Sequence, residues 1–251
     1  MENTEKFTGL AQVYRKYRPG YPDELFDYLK NTLGLNPKSR VAEVGSGTGI
    51  FTGLLFEHGL REIYAVEPNA DMRAVAEKEL GTKKGFHSVN GCAEATGLED
   101  YQFDFIFAVQ AFHWFDQPRF REESRRILKP GGKVVIIWNS RIDGPVTQEA
   151  YEVCRHCCNS FEGFSGGLPT SGDEAVNRFF DGKYLFREFA NPVPMNRDEF
   201  VGRHLSSSYA PREGEANYQA FVEGVRDIFD RHAVDGGIIW EAAARCYAGT
   251  L

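Results

Sequence analysis

Residues 41 to 49 read Val-Ala-Glu-Val-Gly-Ser-Gly-Thr-Gly, a short apolar run that gives way to glycines at every second position. Such a run, bounded by glycine, predicts a buried strand over 40 to 44 that turns sharply into a helix over 48 to 58. Lacking a β-carbon, Gly45, Gly47 and Gly49 let the chain turn tightly, with Ser46 between the first two, and let a ligand lie against the backbone. The helix N-terminus that follows offers unpaired N–H groups. A dinucleotide fingerprint would place Gly or Ala at position 50, where this chain has Ile50. Glu43 points the same way, because a carboxylate beside the loop repels a pyrophosphate and attracts an ammonium or sulfonium ion. The expected ligand is a cation.

A second strand is predicted over 61 to 66, and Glu67 closes it 22 residues beyond Gly45. A carboxylate at that distance, on a second strand end, suits a ribose diol, whose two hydroxyls it can accept together. Loop and carboxylate together imply a cationic nucleoside. At this point the chain resembles the class I S-adenosylmethionine-dependent methyltransferases. Their first motif is matched by Glu43 to Gly49 and their acidic ribose ligand by Glu67. Within the family it looks like the small-molecule branch, similar to the trans-aconitate and ubiquinone/menaquinone-type methyltransferases. Residues 10 to 140 follow the family order throughout, and 180 to 251 follow it loosely.

The resemblance implies S-adenosylmethionine as cofactor and assigns further residues to it. The segment 9 to 22 carries Tyr-Arg-Pro-Gly-Tyr-Pro at its end. It is similar to the N-terminal piece that closes over the methionine end of the cofactor, which makes Tyr14 and Arg18 candidates there. Pro68 and Met72 match the stretch that packs on the adenine face. Asn90-Gly91-Cys92-Ala93-Glu94 stands where the family contacts the adenine amino group. Many relatives carry Asp directly after the Gly, and with Cys92 in that place the contact passes to Glu94 or to the Ala93 backbone. Gln110 completes the set.

Gln110 also opens the run Gln-Ala-Phe-His-Trp-Phe-Asp at the end of the fourth predicted strand. Aromatic faces there suit a sulfonium or a cationic acceptor, which makes Phe112, His113 and Trp114 the expected acceptor pocket. His113 is the candidate catalytic residue. An unperturbed imidazole titrates near neutrality and could take a proton from the acceptor, or orient it by a hydrogen bond.

Composition narrows the class. With 251 residues, 42% hydrophobic and 26% charged, the chain suits one large α/β domain, read as a single unit over 1 to 251. Its longest apolar stretches, such as 134 to 138, are too short to cross a bilayer, and Met1 to Phe7 lack the apolar core of a secretory signal. No membrane insertion and a cytoplasmic address are expected. A net charge of −7 opposes phosphate backbones, so a nucleic-acid partner is not expected. Cys154, Cys157 and Cys158 surround His156, but no second Cys/His pair stands at finger spacing. An amphipathic helix is the better reading, and no metal is expected.

Further strands are predicted over 85 to 90, 103 to 109 and 132 to 138, with helices over 23 to 33, 69 to 80 and 117 to 128. Alternation at these lengths implies a doubly wound, mostly parallel sheet of Rossmann-like methyltransferase type, with seven strands by resemblance. Residues 1 to 22 are read as a lid. Residues 141 to 182, loosened by Gly163, Gly166, Gly167, Pro169 and Gly172, are read as an inserted helical cap. A strand near 184 to 190, helices near 196 to 208 and 214 to 232, and a last strand near 238 to 248 complete the chain. The leading function is methyl transfer to a small molecule. A protein or nucleic-acid methyltransferase, or a cofactor-binding regulator without activity, are the alternatives.

Overall fold

The first five strands are β1 (Arg40–Val44), β2 (Glu62–Val66), β3 (Phe86–Val89), β4 (Phe103–Val109) and β5 (Leu128–Arg141). The computed structural model describes residues 9–164 and 173–251. Residues 1 to 8 of the expected lid and 165 to 172 of the expected cap, Gly166, Gly167, Pro169 and Gly172 among them, lie outside the described residues. β6 (Leu185–Ala190) and β9 (Ala242–Gly249) bring the main sheet to seven strands, in the order β3-β2-β1-β4-β5-β9-β6. β1 pairs in parallel with both β2 and β4, so the strand order reverses between β1 and β4. β9 runs antiparallel to β5 and to β6.

Helices cover both faces, because strands buried on both sides need two apolar layers. On one face α2 (Asp23–Asn31) and α3 (Ile50–Glu57) pack Leu25, Phe26, Phe51 and Leu55 against Val41, Phe107 and Val135. On the other, α5 (Gln117–Ile127) and α7 (Asp173–Phe179) pack Phe120, Ile127, Val176 and Phe179 against Ile106, Val134 and Ile136. α4 (Ala70–Leu80) follows β2 and carries Met72 and Val75 toward α1 (Ala11–Tyr17). Among the described residues no helix is long and apolar enough to cross a membrane.

A third core stands apart from the sheet. α6 (Pro145–Cys157), α8 (Arg197–Leu205) and α9 (Tyr218–His232) join the small antiparallel pair β7 (Val193–Met195) and β8 (Ile238–Trp240) around Phe200, Phe221, Ile228 and Trp240. The expected cap at 141 to 182 therefore needs different bounds. Of that stretch α6 joins this core, with Cys158, Phe161 and Phe164 after it, while α7 belongs to the sheet and the rest of the core comes from 193 to 242. The expected strand over 238 to 248 is two strands. β8 pairs with β7, and after Glu241 the chain enters the main sheet as β9. Cys154 and Cys158, one helical turn apart, are buried in this core. Among the described residues no group of three or more His, Cys, Asp or Glu could hold a metal.

Candidate functional site

The glycine loop leaves β1 at the point where the strand order reverses, the position at which an open α/β sheet presents its crevice. Gly45 has φ +71°, and a β-carbon there would meet Ala111 Cβ at 2.5 Å, so only glycine lets the β4 end approach. A β-carbon at Gly47 would meet nothing within 4 Å. That residue and Gly45 face a cavity whose wall also carries Ser46, Thr48, Glu67, Pro68 and Met72. The hydroxyls of Ser46 and Thr48 are buried without a hydrogen-bond partner. Buried polar atoms are normally satisfied, so these two mark a place for a polar ligand.

Gly49 is not part of that wall. It caps α3 in the left-handed region at φ +75°, and a β-carbon there would meet Leu80 Cδ1 at 2.8 Å and Ala76 Cβ at 3.1 Å. The third glycine seats α3 against α4. Cys92, Ala93, Glu94 and Gln110 do line the cavity, as do Tyr14 and Arg18. Gln110 is held at φ +56° at the end of β4, and its side-chain amide donates to the Asn139 carbonyl at 3.2 Å. Glu94 accepts from the Asp116 N–H at 2.8 Å, tying the loop after β3 to the start of α5.

Two carboxylates face the cavity with different support. Glu67 is 8% exposed; one oxygen accepts from Gly47 N at 2.9 Å and the other from Asn69 N at 2.8 Å. Burial raises its pKa, and those two bonds oppose the rise. Glu43 is 2% exposed and accepts from the Thr52 hydroxyl. Burial pushes it up to about 8, the Thr52 bond opposes this, and nearby Glu67 adds to it. Among the described residues no cation is one of the groups that shift it. A carboxyl held in this state is ready to ionise when a positive ligand arrives.

A second, larger cavity of about 990 Å³ adjoins the first and shares with it Tyr14, Arg18, Gln110, Trp114, Asn139 and Arg203. The expected acceptor residues divide here. His113 and Trp114 line this cavity. Phe112 does not: it is fully buried in the sheet core, edge-on to Trp138 and Phe179. The residue begins a short 3-10 turn, Phe112–Trp114, which points one aromatic inward and leaves the next two half-buried. The Trp138 indole donates to His113 Nδ1 at 3.3 Å. Since an indole only donates, Nδ1 is the accepting nitrogen and a neutral His113 carries its proton on Nε2.

The roof is α1. Ala11 and Tyr14 pack on Met72 and Val75 of α4, the Tyr17 ring lies against Gly202 of α8, and Gly9 N donates to Asp71 at 2.9 Å. Arg18 lies over the Tyr14 ring at 4.6 Å and donates to the Ser206 carbonyl at 3.3 Å. Beyond it, the Gly20 carbonyl accepts from Asn139 at 3.0 Å and from Asn191 at 3.1 Å. Sequence reasoning missed several wall residues. Tyr21, which lines the first cavity, stood in the quoted Tyr-Arg-Pro segment and could have been singled out. Arg141, Arg203 and Ser207 carried no signal, because nothing in their local sequence says which cavity a helix end or strand end will meet.

Residues 42–136 match the family model of a methyltransferase domain. An uncharacterized methyltransferase of Schizosaccharomyces pombe is 32% identical over 63% of this chain and 64% of its own length. One from Mycobacterium bovis is 35% identical over 54% of this chain and 52% of its own. The chain thus spans between about half and two thirds of these relatives. A solved S-adenosylmethionine-dependent methyltransferase of Aquifex aeolicus shares the fold, with a TM-score of 0.54 at 19% identity, over 72% of this chain and 91% of that one. The matched segment runs from β1 through the glycine loop and Glu67 to β5. Over residues 42–136 the chain is thus similar to methyltransferase domains, and its fold is that of a solved S-adenosylmethionine-dependent methyltransferase.

Proposed function

We propose that the protein binds S-adenosylmethionine in the first cavity and transfers its methyl group to a small molecule held in the second. The observation that carries this reading is the pair of adjoining cavities at the strand-order reversal, one walled by the glycine loop and two buried carboxylates, the other large enough for an acceptor. When bound, the cofactor supplies a methyl group on a sulfonium, which an acceptor lone pair takes in line as the carbon–sulfur electron pair returns to sulfur. The chain's own task is to hold the partners at attack distance and keep water out.

In this reading Glu67 accepts the ribose hydroxyls on the lone pairs that its two backbone bonds leave free. Glu43 faces the positive end of the ligand, and the Ser46 and Thr48 hydroxyls gain partners. Tyr14 and Arg18 close over the methionine carboxylate, Met72 and Pro68 border the adenine, and Ala93 and Glu94 meet its amino group. His113, with its proton on Nε2, orients the acceptor as a donor; a neutral imidazole in that tautomer has no free nitrogen for a base.

Calorimetry with S-adenosylmethionine and S-adenosylhomocysteine tests the cofactor. Both are expected to bind, and Glu67→Ala is expected to weaken binding by about 1 to 3 kcal/mol, the scale of a hydrogen bond to a charged group. Failure of folded protein to bind either ligand refutes the reading. Mass spectrometry of metabolite extracts incubated with isotopically labelled methyl donor then names the acceptor.

A further inference from the structure

Three arginines in the wall of the second cavity meet no carboxylate among the described residues. Arg203 is 5% exposed, faces both cavities, and has a buried Nε without a hydrogen-bond partner. Arg141 ends β5 in the same wall; its guanidinium lies over the Phe164 ring at 4.0 Å and donates to the Tyr209 hydroxyl at 3.4 Å. Arg18 stands where the cavities meet. Among the described residues none of these three forms an ion pair with a carboxylate. Glu162 and Glu215, the acidic members of the wall, are exposed. Ser207, 2% exposed, adds a buried hydroxyl with no partner.

The electrostatics agree with that inventory. Burial lowers the pKa of Arg141 and Arg203, and each is lowered further by neighbouring arginines. His204 beside them is pushed down to about 3 by burial, with the same arginines contributing. A buried charge is costly unless a counter-charge meets it, and a cluster of like charges is more so. Nothing in the proposed transfer chemistry asks for such a cluster. A guanidinium fork does match the paired oxygens of a carboxylate or phosphate.

We infer that Arg141, Arg203 and Ser207 form an oxyanion-binding subsite, so that the methyl acceptor carries a carboxylate or phosphate group held there. This rests on the methyltransferase reading for the word acceptor, but the subsite can be measured without it. Protein saturated with S-adenosylhomocysteine is titrated with succinate, citrate, inorganic phosphate and the uncharged diamide of succinate. Stabilisation by the carboxylates or by phosphate, and none by the diamide, is expected, and which anion wins separates the two sources. Arg141→Gln should weaken the winning anion at least about ten-fold while S-adenosylhomocysteine affinity stays within about two-fold. Arg203→Met should raise the melting temperature of the ligand-free protein, because it removes an uncompensated buried charge, whereas loss of a merely structural arginine would lower it.

Labelled products from the extract experiment should be retained on an anion exchanger. A neutral or cationic product, a lowered melting temperature in Arg203→Met, or no stabilisation by any anion of the panel overturns the inference while cofactor binding leaves the methyltransferase reading standing. Loss of cofactor binding overturns that reading, and the titration, repeated on the free protein, still decides the subsite.

Discussion

Glu43 offers the most direct test at the level of single residues. Its raised pKa means that the folded chain keeps a proton the unfolded chain has released, so the stability it contributes falls as pH rises from the ordinary carboxylate range to about 8. A cation in the cavity lowers that pKa and cancels the loss. Thermal shift with S-adenosylmethionine should therefore be larger at pH 8.5 than at pH 6, and Glu43→Gln should remove the difference. For His113, →Ala is expected to lower methyl transfer by less than about 10²-fold, short of the general-base scale, with cofactor affinity unchanged. A larger loss, with a pH profile that follows a group titrating near neutrality, would restore the base. Gly49→Ala combines a left-handed φ with contacts at 2.8 and 3.1 Å, and should cost about 2 to 4 kcal/mol in a denaturant titration. The sequence showed which residues line the first cavity, Gly45, Gly47 and Glu67 among them, since motif spacing carries that. It did not separate Gly49 from Gly47 or Phe112 from His113, because which way a turn faces is decided by the helix or sheet it meets.

Among elements, α1 is the one whose behaviour follows least from its own sequence. It is seven residues long, too short to hold as an isolated helix, so its stability comes from the contacts of Tyr17 with Gly202 and of Ala11 and Tyr14 with α4. It carries Tyr14, and Arg18 follows directly after its end; both cavities share these two residues. Hydrogen exchange over 9 to 22 is expected to slow when cofactor and acceptor are bound. Equal exchange in free and bound protein would make α1 a fixed strap. The strands β1 to β4 lay where apolar periodicity put them, within a residue at either end for β2 and β3. β5 starts earlier than expected, because Leu128 pairs with Phe103 before the register shifts on the way to Lys133. The break at Glu241 was invisible, since two short strands in a row read like one long strand until their partners are known.

For the molecule as a whole, composition and alternation made the sheet legible but not the division of its helices. α8 and α9 show the amphipathic spacing of any covering helix, and that spacing does not say whether the apolar side meets a sheet or other helices. They meet α6, and so the third core draws on both sides of β6 in the chain. Charge was similarly half visible: the acidic net balance describes the outside, while the cavity wall is basic.

The place of β9 sets an order in time. Among the described residues β6 hydrogen-bonds within the main sheet only to β9, and β9 lies between it and β5. As the chain leaves the ribosome, β1 to β5 can assemble with the glycine loop already formed, and 193 to 240 can gather around α6, but β6 has no neighbour to join until Ala242–Gly249 has been made. Until then Leu185 and Phe186 remain an uncovered ribbon. A nascent protein halted before residue 242 would thus hold a nearly complete cofactor cradle while exposing the strand most prone to pair with a stranger.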